Sequence, residues 1–264
     1  FFDFPGIPKG VHGTEEIFRT SFRVPSDEAL EYWVKRFDRY HVKHGGIQEQ
    51  FGKKVLPFVD FDDQQYQLIS DEKDEGVASG TPWQKGPVPL EYAITGLGPL
   101  IIRVMNFDYF KEVLEKVFLF RETAREGSLY LFETGEGGNG ASVIVEYSPL
   151  LSMALQGYGT VHHVAFRVED RAMLDEWDRR MRRFGFPTSG YVDRYYFESV
   201  DARVTPQILF ELATDGPGFM GDEPYETLGE KLSLPPFLEP KRAEIEKLVR
   251  PIDTVRSTKE FVKE

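Results

Sequence analysis

The chain has 264 residues, carries 44 Asp and Glu against 32 Lys and Arg, and has a formal net charge of −12. That balance excludes a nucleic-acid or anionic-membrane partner held by charge. The lack of cysteine excludes disulfides, zinc–thiolate sites and a Cys nucleophile, and fits a cytoplasmic location.

In chain order, the opening "FFDFPGIPKG" reads as the end of a strand running into a loop, which predicts that the natural chain begins upstream. "FRTSFRVPSDEALEYW" (18–33) follows as a strand and then a helix. Ser26 is placed to cap that helix, Asp27 and Glu28 sit in its first turn, and Leu30, Trp33, Val34 and Phe37 form an apolar stripe. After it, "KKVLPFVDF" and "QQYQLIS" (53–70) read as strands. The middle of the chain repeats this order. "GPLIIRVMNFDYFKEV" (98–113) carries Asn106 as cap and Phe110, Val113, Leu114 and Val117 as stripe, and "SLYLFET" and "ASVIVEY" (128–147) follow. The third copy is the clearest: "HHVAFRVEDRAMLDEW" (162–177) aligns with 18–33, with Asp170 as cap and Leu174, Trp177, Met181 and Phe184 as stripe. It continues into "RYYFESVDA" and "PQILFELA" (194–213). From 216 the chain is rich in Pro and charge, and "EPKRAEIEKLV" reads as a terminal helix.

Each copy is thus a β-α-β-β-β module, and one such module exposes a sheet face that needs a partner. The predicted fold class is α+β, with repeated modules pairing into curved mixed sheets around a concave interior where a ligand can sit. The boundaries are 1–80, 91–150 and 158–215 for the modules and 216–264 for the tail and helix. No apolar run approaches the roughly 18 residues of a membrane span, and no secretory signal is evident.

Side chains alternate across a strand. If the third copy's strand starts at His162, then His162, Val164, Phe166 and Val168 face the helices, and His163, Ala165 and Arg167 face the interior. By the same alternation Glu211 faces the interior, opposite Ile208, Phe210 and Leu212. An inward carboxylate is costly unless paired or metal-bound. One His and one Glu are too few for the 2-His-1-carboxylate triad of non-haem iron sites. The other histidines are weak candidates: His12 lies in a Gly-flanked loop, and His41 and His44 in a turn. The equivalents of His163 are Arg19 and Pro99, and those of Glu211 are Gln67 and Glu146. On spacing alone, His163 reads either as a hydrogen-bonded core residue, the commoner case, or as a ligand, and His162 either as a structural residue or as a catalytic-site residue supporting the ligand beside it.

The stretches "VHHVAFRVED", "DRYYFESV", "ILFELATDGPGF" and "LGEKLSLPPFLEPKRAEIEKLV" resemble the vicinal oxygen chelate superfamily, and within it the bacterial hydroquinone-type ring-cleaving dioxygenases. The resemblance covers essentially the whole chain and implies a metal- and substrate-binding cavity. It implies His163 and Glu211 as metal ligands, with a third ligand, a His, upstream of Phe1 in a first module missing from this sequence. It implies Fe(II), with Mn(II) as second choice, and a small aromatic substrate and O2 as partners, with a homo-oligomer left open. Arg194 matches an active-site arginine suited to stabilising a developing anion. Where the family carries a tyrosine, this sequence has Asp201, a departure that puts substrate positioning or proton transfer in question. Two other readings stay open on the same scaffold: a glyoxalase-like lyase or isomerase, and a non-catalytic drug-binding protein.

Overall fold

The computed structural model describes residues 2–73 and 75–264. The chain divides into two compact units; one is Ala165–Ala202 with Glu211–Val262, and the other is the remainder.

In the larger unit, β1 (Glu16–Val24), α1 (Asp27–Arg39), β2 (Gln48–Gln50), β3 (Lys53–Val59) and β4 (Gln65–Ser70) form the first module. The second is β5 (Gly96–Val104), α2 (Phe107–Glu112), β6 (Arg121–Glu126), β7 (Leu129–Glu133) and β8 (Ser142–Tyr147). Their strands join in one mixed sheet of order β2-β3-β4-β1-β5-β8-β7-β6, so the module order is repeated about the β1–β5 seam. β1 runs antiparallel to β5, while β1 and β4, and β5 and β8, are parallel pairs.

The helices begin where the residue types require it. Ser26 accepts a hydrogen bond from Ala29 N–H at 3.1 Å and Asn106 one from Tyr109 N–H at 3.1 Å, each satisfying a donor that the first helical turn leaves open. Along α1, Ala29, Leu30 and Phe37 are buried, and they pack with Val24, Leu56 and Leu68 of the sheet. Burying each large side chain contributes about 2 kcal/mol. α2 is shorter than the apolar stripe predicts: it passes at Val113 into a π-helical turn, Val113–Val117, whose Val113, Leu114 and Val117 are buried. The wider turn keeps the whole stripe on the core side at the cost of regular hydrogen bonding.

The third module is β9 (Val164–Val168), α3 (Arg171–Arg183), β10 (Val192–Asp193), β11 (Glu198–Arg203) and β12 (Leu209–Thr214), and its sheet order, β10-β11-β12-β9, repeats that of the first two. The predicted α+β class of repeated modules and mixed sheets is therefore what the chain adopts. Asp170 caps α3 through Met173 N–H at 2.9 Å, and Leu174 and Met181 are buried. Phe184, placed on the core stripe by periodicity, instead ends the helix and is 45% exposed. The predicted strand over 194–202 starts late. Tyr195 takes a positive φ of 71°, and Arg194 N–H bonds Phe197 O at 2.9 Å, so Arg194–Phe197 is a turn between β10 and β11. The terminal helix, α4, spans Arg242–Leu248. Among the described residues no helix is long and apolar enough to cross a membrane.

Candidate active site

His162 and His163 precede β9, which starts at Val164, so strand alternation does not govern them. The backbone leading to them is set by Gly159, at φ 80°. A Cβ there would stand 2.3 Å from the carbonyl oxygen of Asp62, so only glycine allows this approach. His162 is exposed and His163 half-buried. Their Nδ1 atoms lie 2.9 Å apart, with the rings nearly perpendicular at 89°. One Nδ1 must donate and the other accept. If His163 donates, its Nε2 carries a lone pair suited to a metal, and His162 is the acceptor that holds the ring.

Both histidines line a cavity of about 450 Å3, a volume ordinary for a small-molecule site. Phe2, Phe4, Phe22, Tyr66 and Tyr158 give it an aromatic wall, and Asp60, Asp62 and Gln64 a polar one. The Phe2 ring lies 5.0 Å from that of His162 and 6.1 Å from that of His163. Burial, reinforced by Asp60, pushes the Tyr66 hydroxyl up to about 12, so it stays a neutral donor. Sequence reasoning missed this wall, although the Phe-rich opening and the Gly157–Gly159 spacing were its signals.

In the second unit, Arg194, Asp201 and Glu211 lie on or beside neighbouring strands. Arg194 Nη2 is 3.1 Å from Asp201 Oδ2 and its Nε 3.2 Å from Ser199 Oγ. Ser199 and Asp201, two residues apart on β11, share a face, and the guanidinium spans them. Asp201 N–H in turn bonds Ser189 Oγ at 2.9 Å. Glu211, in the interior of β12, is 5% exposed. Arg194 and Asp201 were picked out separately; the structure brings them together. His162 and His163 belong to the other unit.

The equivalents of Glu211 in the paired modules are committed elsewhere. Glu146 accepts from Arg103 Nε at 2.8 Å, and Gln67 donates to Ser21 Oγ at 2.9 Å. His163 and Glu211 have the donor chemistry of a metal ligand pair, an imidazole nitrogen and a carboxylate. Among the described residues, however, no group of three or more His, Cys, Asp and Glu side chains is arranged to hold a metal. The described residues thus do not by themselves complete a three-donor site.

No family model matches the chain. The Bacillus subtilis (strain 168) protein "Putative ring-cleaving dioxygenase MhqA" is 42% identical over 257 residues, covering 96% of this chain and 81% of that protein. The "Chlorohydroquinone/hydroquinone 1,2-dioxygenase" of Sphingobium indicum is 27% identical over 245 residues, covering 89% of this chain and 73% of that one. Among solved structures, a "putative dioxygenase" from Bacillus subtilis superposes with a TM-score of 0.86 at 31% identity, covering 97% of this chain and 80% of that one. Maize glyoxalase I, at a TM-score of 0.53 and 12% identity, covers 80% of this chain and 71% of its own and shares the fold alone.

Proposed function

We propose, for a chain that belongs to the ring-cleaving dioxygenases of the vicinal oxygen chelate fold, that it opens hydroquinone-type rings with Fe(II) as its metal. The ring-cleaving reaction itself takes a metal, an aromatic substrate and O2. The observation that carries the proposal is the relationship to MhqA over 96% of the chain. The hydroquinone assignment rests on the Sphingobium relative and on a cavity walled by Phe and Tyr beside the histidine pair.

His163 and Glu211 are the side chains proposed as metal ligands. Supporting this, the 2.9 Å Nδ1–Nδ1 contact with His162 is the kind of contact that holds a ligating imidazole in one orientation. Glu211 keeps a carboxylate where burial favours pairing or coordination. When bound, the metal would act as a Lewis acid, favouring the ionised form of a substrate hydroxyl. The chain's own residues bind and orient. Phe2, Phe4, Phe22 and Tyr66 provide faces on which an aromatic ring stacks. Arg194 offers a fixed cation to a developing oxyanion, and Asp201 with Ser199 holds its fork in one orientation. On this reading Asp201, where the family has tyrosine, positions the arginine rather than moving a proton.

Oxygen uptake tests the substrate class. The full-length protein, loaded anaerobically with Fe(II) or Mn(II), should consume O2 with methylhydroquinone and do so faster with Fe(II). Uptake with catechol alone would move the substrate class. No uptake, together with turnover of a hemithioacetal, would favour the lyase reading.

A further inference from the structure

His12, a Gly-flanked loop residue, has two acceptors facing its ring nitrogens among the described residues. Its Nδ1 lies 2.9 Å from Glu16 Oε2, and its Nε2 lies 3.1 Å from the backbone carbonyl oxygen of Asp63. A neutral imidazole donates from one nitrogen only; donating to both partners requires the imidazolium. The surroundings balance that charge. Glu16 is buried, and its other oxygen accepts Gly13 N–H at 2.8 Å. Arg103 stands 3.8 Å from Glu16 and is itself paired with Glu146 at 2.8 Å, and Lys9 pairs with the Asp63 carboxylate. Two cations, His12 and Arg103, thus face two carboxylates, Glu16 and Glu146, while Lys9 and Asp63 neutralise each other. The hydrogen bond that His12 donates to Glu16 raises the His12 pKa, against burial and the repulsion of Arg103.

The bond to Asp63 has a mechanical consequence. Asp63, at φ 66°, is the turn of a tight loop in which the Asp60 carboxylate accepts the N–H groups of Asp62 and Gln64 at 2.9 and 3.0 Å. Asp60, Asp62 and Gln64 form the polar wall of the cavity that holds His162 and His163. The carbonyl of Asp62 braces Gly159, on the segment leading to those histidines. His12 itself is anchored on the other side. Residues 10–14 run beside 152–158, with Gly10 N–H to Tyr158 O at 3.0 Å and Val11 N–H to Leu155 O at 2.9 Å. A Cβ on Gly13 would fall 2.1 Å from Ser152 O, so the two segments lie too close for any other residue there.

We infer that His12 is a positioning residue, a protonated latch that ties the Asp60–Gln64 wall of the cavity to the start of β1 and releases it on deprotonation. The substrate consequence rests on the cavity being the aromatic site proposed above; the latch does not. With His12 neutral, one of the two bonds is lost, the loop opens more often, and the wall against the ring softens.

The test follows hydrogen exchange of the 60–64 and 157–163 amides, corrected for the intrinsic effect of pH, alongside a titration of His12 by NMR. Wild type and His12→Gln are compared, since the glutamine amide can donate but does not titrate. In wild type, protection of 60–64 should fall about tenfold or more as His12 loses its proton, the value of one hydrogen bond to a charged group. In His12→Gln it should not vary with pH. The KM for the aromatic substrate should rise along the same curve in wild type, with kcat little changed, and stay flat in the variant. Protection that ignores the His12 titration, or that varies equally in His12→Gln, overturns the latch. Protection that tracks His12 while KM stays flat upholds the latch and overturns the cavity as the substrate site.

Discussion

Arg194 and Asp201 face each other across 3.1 Å, with Ser199 holding the second arm of the same guanidinium. A carboxylate that could have been a proton carrier is instead committed to a cation. The Arg194 side chain is 44% exposed and that of Asp201 19% exposed, so the pair contributes little stability, under about 1 kcal/mol. On the proposed function its value is orientation. Asp201→Ala should therefore leave the denaturation midpoint almost unchanged while lowering kcat/KM about tenfold, through misdirection of Arg194. Arg194→Gln should cost about a hundredfold or more in kcat, the usual loss on removing one stabiliser of a developing anion. Arg194→Lys should not restore it, because a lysine cannot span two partners. Steady-state kinetics of the three variants decide the matter.

A second ion pair is structural. Arg23 Nε lies 2.6 Å from Asp71 Oδ2, both side chains are almost fully buried, and Asn139 Nδ2 donates to the other Asp71 oxygen at 2.6 Å. Removing one partner strands the other charge in the interior. Asp71→Ala should cost about 3–5 kcal/mol, read from urea unfolding. The double variant Arg23→Met/Asp71→Ala should recover much of that loss, because no uncompensated charge remains.

The core makes a simpler demand. Leu30 of α1 has no exposed surface and packs with Leu56 and Leu68. Leu30→Ala should cost about 3–5 kcal/mol, since the lost burial adds to an unfilled cavity. Leu30→Met, which keeps the volume, should cost under about 1.5 kcal/mol. Thermal or denaturant melts of the two variants separate volume from identity.

The His12 latch also makes stability depend on pH. The folded-state pKa lies above the unfolded one because the Glu16 carboxylate accepts the His12 Nδ1–H and favours the protonated ring. The contribution is therefore complete below the unfolded pKa and is lost as pH rises through the folded one. The Tm difference between wild type and His12→Gln should be greatest in mild acid and shrink as the solution is made alkaline. A difference that grows with pH would have the wrong sign.

The repeat was legible because its signals are local. Ser26, Asn106 and Asp170 each precede an apolar stripe, and each accepts the bond a cap must accept. The strands β2, β6 and β10 were not singled out, because "QEQ", "RETARE" and "VD" carry almost no apolar alternation. Pairing with a neighbouring strand makes them strands, which is a tertiary effect. Tyr195 at positive φ broke a run that looked like one strand, and nothing in "RYYF" announces it. At the site, strand alternation pointed to His163 and Glu211 and the family resemblance to Arg194 and Asp201, but neither gave the contacts that constrain them. The Nδ1–Nδ1 contact, the Arg194–Asp201 pair and the His12 latch depend on distances between segments up to 51 residues apart, which no periodicity encodes.

The measurement that bears most directly on the account is metal content and oxygen uptake made together on the full-length wild type, His163→Ala and Glu211→Gln, with circular dichroism to confirm folding. The wild type should bind iron and consume O2 with methylhydroquinone. Each variant should stay folded, lose most of the iron and lose uptake in proportion. Folded variants that keep both iron and activity would remove His163 and Glu211 from the metal site and contradict the account.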